Sequence, residues 1–165
     1  MSDAQRPPGQ AGGDVTLPAT LAEAIADFEF VDRSLRAEML IEYADRFREV
    51  PPEIAARPFP EHARAPRCES EVYVFAVDRP DGTLDLHFAV ENPQGLSAKA
   101  WAVILRETLS GQPLESVVTV PGETIRRIFG HDLSMGKELG LLGMLQLVQD
   151  AARARPGARR GTGAA

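Results

Sequence analysis

The sequence predicts an α+β domain in which helices pack against a small antiparallel sheet. Three observations carry that prediction. Apolar residues recur at helical spacing before residue 51 and again after residue 96; two runs of strand character lie between them; and Asp81-Gly82, a turn pair, separates those two runs.

Each element has its own signal. Thr20 and Glu23 form a capping-box pair, in which the hydroxyl accepts an amide hydrogen bond and the acid reaches back, and Leu21, Ile25 and Phe28 then share one helical face. Ser34 is placed to cap a second helix carrying Leu35, Met39, Leu40, Tyr43 and Phe47. Pro51-Pro52 ends it, because proline lacks the amide and restricts the residue before it. A proline-broken stretch, PPEIAARPFPEHARAPR, leads to Cys68. The period then changes. Val72, Tyr73, Val74, Phe75, Ala76 and Val77 make a β-branched and aromatic run that predicts a strand buried on both faces. After the turn, Leu84, Leu86, Phe88 and Val90 alternate with Thr83, Asp85, His87 and Ala89, the pattern of a half-buried hairpin partner.

From Leu96 to about Leu109 the chain reads as helix, with Trp101, Ile104 and Leu105 as core, and Ser110-Gly111 stops it. Short helical pieces follow at about 113–118 and 122–129; the second, GETIRRIFG, has the wrong spacing for a nucleotide loop and reads as a capped surface helix. A long helix at about 137–154 finishes the fold on Leu141, Leu142, Leu145 and Val148. Residues 1–18 and 155–165 are rich in Gly, Pro and polar residues with no apolar face, so they are expected as disordered tails around one domain at 19–154.

Composition excludes several function classes. A chain of 165 residues with 44% hydrophobic residues is enough for one compact domain with a real core. The net charge of −6, with basic residues interspersed among acids, argues against general nucleic-acid binding, which needs a clustered positive surface. RARPGARR is the one basic cluster and reads as solvated tail. No stretch approaches the roughly 20 apolar residues of a membrane helix, and the start of the chain lacks the apolar segment of a secretory signal. With one cysteine and hence no internal disulfide, a reducing cytoplasm is the expected location. Three scattered histidines, His62, His87 and His131, and a lone thiol give neither a metal site nor the signature of a cysteine hydrolase, so no metal and no cofactor are expected.

What remains is Cys68, at the junction of a loop and a strand. His62, Arg64 and Arg67 are cations near enough in sequence to favour a thiolate, and Ser70 places a hydroxyl two residues on. The opposing reading is a buried, inert cysteine. Its place after Pro66 and Arg67 and before Glu69 points to exposure.

Cys68-Glu69-Ser70-Glu71-Val72-Tyr73 resembles the Cys-x-Ser-x-hydrophobic-aromatic motif of the SufE family of sulfur-acceptor proteins. The likeness covers about residues 20–154: two helices ending at Pro51-Pro52-Glu53, the Asp81-Gly82 hairpin, Ala98-Lys99-Ala100, Leu114-Glu115-Ser116-Val117, then Leu133-Ser134 and Gly140-Leu141 follow in the family's order. The resemblance implies the two-layer fold shared by SufE and IscU proteins. It also implies that Cys68 takes sulfur from the persulfide of a SufS-like cysteine desulfurase, stimulates that enzyme, and passes the sulfur to an iron–sulfur cluster scaffold. The alternative is a regulatory or binding module of the same fold without transfer. One thiol suits a carrier, because a second nearby thiol would resolve the persulfide as a disulfide. Cys68 is thus the expected acceptor, with Arg67, Glu69, Ser70, Lys99 and Lys137 as its surroundings or partner contacts. The sequence departs from the family in three places. Met135-Gly136-Lys137 stands where Pro-x-Arg is usual, so Lys137 replaces an arginine; Arg67 precedes the cysteine where Gly or an acid is common; and Tyr73 replaces a frequent Trp.

Overall fold

In a computed structural model the described residues are 15–158. They form helix α1 (Ala19–Glu29), helix α2 (Arg33–Asp45), a short 3-10 turn (Glu61–Ala63), strands β1 (Val72–Asp78) and β2 (Leu84–Val90), and helices α3 (Leu96–Leu109), α4 (Leu114–Val118), α5 (Thr124–Phe129) and α6 (Met135–Arg153). The two strands pair antiparallel, Val72 opposite Val90 and Asp78 opposite Leu84, around the Asp81-Gly82 turn, where Gly82 takes φ 83°. The α+β class expected from the sequence is what the chain adopts. Of the two expected tails, residues 1–14 and 159–165 lie outside the described residues, while the described parts pack on the domain: Leu17 and Ala158 lie against the core and Arg155 pairs with Asp78 at 3.0 Å.

The even-numbered face of the sheet joins the helices in one core. Val72, Val74, Leu86 and Phe88 meet a set that includes Trp101, Ile104, Leu105, Leu141, Met144 and Val148, all buried. Trp101 donates its indole N–H to the Leu141 carbonyl at 3.0 Å, tying α3 to α6 at a buried polar contact. Burying these side chains stabilises the fold by about 1.5–3 kcal/mol each before the entropy of ordering them is subtracted.

The strand faces reverse the sequence expectation. β1 is half-buried, with Val77 exposed, while β2 is buried on both faces, His87 and Ala89 included. The reason is the proline-broken segment, which wraps the sheet. Val50 N–H bonds to the Phe88 carbonyl on the free edge of β2, at 2.9 Å. Phe59 then lies over Tyr73 and Phe75 on the odd-numbered face, with ring centroids 5.1 and 5.4 Å away. Arg64 finally bridges to Tyr73 and Ala65 N–H bonds to Val72 O on the outer edge of β1, at 2.8 Å. This wrap delivers the chain to Cys68.

The helix starts differ too. Thr20 lies inside α1 and its hydroxyl donates to Thr108 O at 2.7 Å, so no capping box forms and Pro18 precedes the helix. Asp32, not Ser34, caps α2 by accepting from Leu35 N–H at 2.8 Å; Asp32 sits one residue outside the helix, where a side-chain oxygen reaches the free amides. Leu35 is exposed, and Leu40 is the buried residue of that helix. α5 is no surface helix, since Thr124, Ile125, Ile128 and Phe129 are buried and Phe129 meets Trp101 edge to face.

Candidate functional site

Cys68 lies in the turn between the wrap and β1. Glu71 N–H bonds back to Cys68 O at 3.2 Å, while Asn92 N–H bonds to Ser70 O and Glu91 N–H to Glu71 O, both at 3.1 Å, so the turn is fastened to the end of β2. Arg67 and Glu71, on either side, adopt φ of 59° and 49°. Side chains at positive φ cost about 1–2 kcal/mol each, and such residues gather at functional sites.

The thiol is buried, 9% exposed, which corrects the expectation of an exposed cysteine. The physical reason is α6. Gly136, Gly140 and Gly143 recur on one side of that helix. A Cβ on Gly140 would stand 3.1 Å from Cys68 Cα and 3.3 Å from its sulfur, and one on Gly143 would overlap the Pro66 carbonyl oxygen. The turn therefore lies directly on the helix backbone.

The sulfur borders a cavity of about 240 Å3 on one side. Its lining brings together Glu69 and Ser70 of the turn, Asn92 and Gln94 of the following loop, Gly95 to Ala98 at the start of α3, and Gly136, Lys137, Gly140 and Leu141 of α6. On the other side of Cys68 an open groove is lined by Glu61, Arg64, Pro66 and Arg67 among others. Of the residues expected at the site, Glu69, Ser70 and Lys137 share the cavity with Cys68, whereas Arg67 faces the groove. Lys99 does neither: its ammonium donates to Pro93 O at 3.2 Å and braces the 92–95 loop. The start of α3, with Ser97 and Ala98, is the part of the site that sequence reasoning missed; the ENPQG stretch before it was legible only as a strand end. The glycine spacing of α6 was the other available signal.

Burial pushes the Cys68 thiol above its ordinary range. The backbone amides of Ser70 and Val72 and the Arg64 guanidinium act the other way, and Glu69 adds to the rise. Desolvation wins, so the resting group is a protonated thiol and the neighbouring cations do not hold a thiolate here. Arg64 is occupied with Glu61 and Glu71, at 3.8 and 3.6 Å. Among the described residues no group of three His, Cys, Asp or Glu side chains is placed to hold a metal ion. No helix among them is long and apolar enough to cross a membrane.

Among the described residues, a two-stranded sheet, six helices and one thiol beside a polar cavity define a small α+β protein organised around a single cysteine. The chain belongs to the SufE family, the "Fe-S metabolism associated domain", whose profile matches residues 22–152. It is 26% identical over 106 residues to an uncharacterized SufE-like protein of Mycobacterium tuberculosis, found in strains H37Rv and CDC 1551, covering 64% of this chain and 71% of that protein. A solution structure of a hypothetical protein from Thermus thermophilus superposes with a TM-score of 0.69 at 28% identity, over 84% of this chain and 97% of that one.

Proposed function

We propose that this protein accepts sulfur on Cys68 from the persulfide of a SufS-like cysteine desulfurase, stimulates that enzyme, and hands the sulfur on to an iron–sulfur scaffold. The observation that carries the reading is the position of Cys68: the one thiol of the chain borders a cavity larger than the side chain needs, in a family associated with Fe–S metabolism. In the transfer, Cys68 gives up its proton as the turn reaches solvent, the resulting thiolate attacks the outer sulfur of the donor persulfide, and the departing donor sulfur takes up a proton. A new S–S bond forms at Cys68, the donor's S–S bond breaks, and the donor thiolate leaves with no net change in oxidation level. Cys68 is buried, so the turn swings out to bring its sulfur to a persulfide held on another protein. The bracketing residues at positive φ and the shallow seat on glycine backbone favour such a movement. Returning to the cavity then shields the sulfur from stray thiols, in the reducing cytoplasm where we place the protein.

The test is intact mass after incubation with a desulfurase, cysteine and no reductant. Wild type gains about 32 mass units per sulfur and loses them to dithiothreitol, since thiols attack persulfides by the same exchange. Cys68→Ser gains nothing and loses most of the stimulation. A Cys68→Ser protein that stimulates as well as wild type would make the protein a binding module and not a carrier.

A further inference from the structure

Glu91 holds two parts of the molecule at once. Its backbone N–H bonds to Glu71 O at 3.1 Å and so fastens the turn that carries Cys68, with Asn92 N–H on Ser70 O at the same distance beside it. Its carboxylate accepts from Arg57, in the middle of the wrap: Nε donates to Oε1 at 3.0 Å and Nη2 lies 2.8 Å from the same oxygen. Arg57 also donates to Glu49, just before the wrap begins, at 2.6 Å. Its guanidinium lies over the Phe59 ring, 4.9 Å from the centroid, and Phe59 in turn covers Tyr73 and Phe75. One guanidinium therefore ties the wrap to the residue that anchors the turn.

Two carboxylates on one guanidinium form a network, the arrangement in which surface charges contribute measurably. The side chains of Glu91 and Glu49 are 29% and 36% exposed, so solvent screens them in part. A contribution at the upper end of that found for exposed pairs changes an equilibrium about fivefold. The equilibrium concerned is local. While Arg57 grips Glu91, residues 91 and 92 cannot follow the turn outward, and opening has to break their bonds to Glu71 and Ser70. Without that grip the 91–92 loop can move with the turn, and opening costs less.

We propose that Arg57 is a positioning residue for sulfur transfer: through Glu91 it holds the Cys68 turn shut, and the strength of this latch sets how often the turn swings out. The inference rests on the reading of Cys68 as a sulfur acceptor on a turn that opens. Arg57 lines neither the cavity nor the groove beside Cys68. It acts by fixing the loop to which the turn is bonded.

The experiment uses the full chain and iodoacetamide, a neutral reagent. The labelling rate of native Cys68 divided by that of the urea-unfolded chain gives the open fraction of the turn when reclosing is fast. Arg57→Met, which keeps an apolar stem over Phe59, is expected to raise that fraction about twofold to fivefold. Arg57→Lys keeps the charge without the fork and should fall between the two. In about 1 M NaCl, where the Debye length is about 3 Å, wild type should move toward Arg57→Met while the variant stays where it is. Arg46→Met is the matched control, since Arg46 bonds to Glu107 at 3.0 and 3.2 Å and lies over the Tyr43 ring at 4.4 Å, away from the turn. Its open fraction should equal that of wild type. An Arg57→Met protein that labels like wild type overturns the inference, and so does an equal rise in Arg46→Met, which would mean general loosening. Glu91→Gln breaks the network from its other side and carries the same expectation if circular dichroism shows Arg57→Met to be unfolded.

A parallel arm follows sulfur uptake from a desulfurase by intact mass. Uptake should quicken in Arg57→Met by the factor seen in labelling, and an unchanged rate beside faster labelling overturns the role in transfer. Sulfur on both proteins with no change in labelling removes this inference alone. No sulfur on either removes the acceptor reading, and the role of Arg57 in transfer falls with it.

Discussion

Gly140 and Cys68 are in direct backbone apposition, so close that a methyl group on Gly140 would press on both the Cα and the sulfur of the cysteine, at 3.1 and 3.3 Å. This contact sets the depth at which the thiol sits. It also makes the cavity possible, because the side of α6 that faces the turn carries almost no side-chain volume.

Alanine at the two glycines is expected to separate crowding from helix propensity. Glycine to alanine inside a helix stabilises by about 1 kcal/mol, whereas overfilling a packed contact costs about 1–3 kcal/mol. At Gly140 the tight neighbour is a turn that can shift by a few tenths of an ångström, so the two effects nearly cancel. Gly140→Ala then keeps its melting temperature within a few degrees, while iodoacetamide labels Cys68 several-fold faster because the turn is lifted. At Gly143 the new methyl overlaps a backbone carbonyl, that of Pro66, and the melting temperature falls clearly. Equal melting temperatures for the two variants would show that the turn does not rest on α6.

Burial of Cys68 carries a pH signature. Its pKa is raised in the folded state, so the unfolded chain releases the thiol proton first, near the ordinary value of about 8.5. Stability is therefore unaffected by this group below that pH, and it falls as pH rises past it until the folded group also ionises. Urea midpoints at pH 7.5 and 9.5 should diverge more for wild type than for Cys68→Ser. In the same preparation, native Cys68 should react with iodoacetamide at least tenfold more slowly than the unfolded chain. A native rate equal to the unfolded one would mean that the turn stands open in solution.

His87 titrates at the other end of the scale. Burial and the nearby Arg106 guanidinium both hold its pKa down, against a weaker pull from Asp85 at 3.4 Å. The unfolded chain then binds the proton first as pH falls through about 6.5, so stability is complete above that pH and is lost below it. His87→Gln, which cannot charge, should flatten the decline in the urea midpoint between pH 7.5 and 5. A decline of unchanged slope in the variant would assign acid sensitivity to other groups.

How far the sequence was legible follows from where each signal resides. Local signals held: α3 runs from Leu96 to Leu109 and stops at Ser110-Gly111, where Gly111 takes φ 75°, and the hairpin turns at Asp81-Gly82. Trp101 is core, as its helical neighbours implied. Signals that depend on distant chain failed. The faces of β1 and β2 were exchanged because Phe59, in a stretch with no periodicity of its own, covers the outer face of the sheet. Cys68 was read as exposed because what buries it is an absence of side chains on α6, 72 residues further on in Gly140. A glycine spaced along a helix looks in sequence like a weakness of that helix; only the apposed turn gives it a purpose.

Lys137 offers the sharpest test of the partner surface. It stands in the first turn of α6 with its backbone N–H held by the Ser134 hydroxyl at 3.3 Å, a bond that any side chain at 137 retains. Its ammonium is exposed and pairs with no carboxylate among the described residues, so removing it costs the fold little. The start of a helix is also the end where a positive side chain meets the positive pole of the helix dipole, which gives Lys137→Ala a slight local gain. Lys137→Ala should therefore melt within a few degrees of wild type and yet weaken stimulation of the desulfurase several-fold, chiefly as a higher protein concentration for half-maximal effect. Lys137→Arg restores the charge with a planar fork and should match or exceed wild type if the partner presents a carboxylate. A stimulation curve that is the same for Lys137→Ala and wild type would place this lysine outside the contact and leave it to the cavity alone.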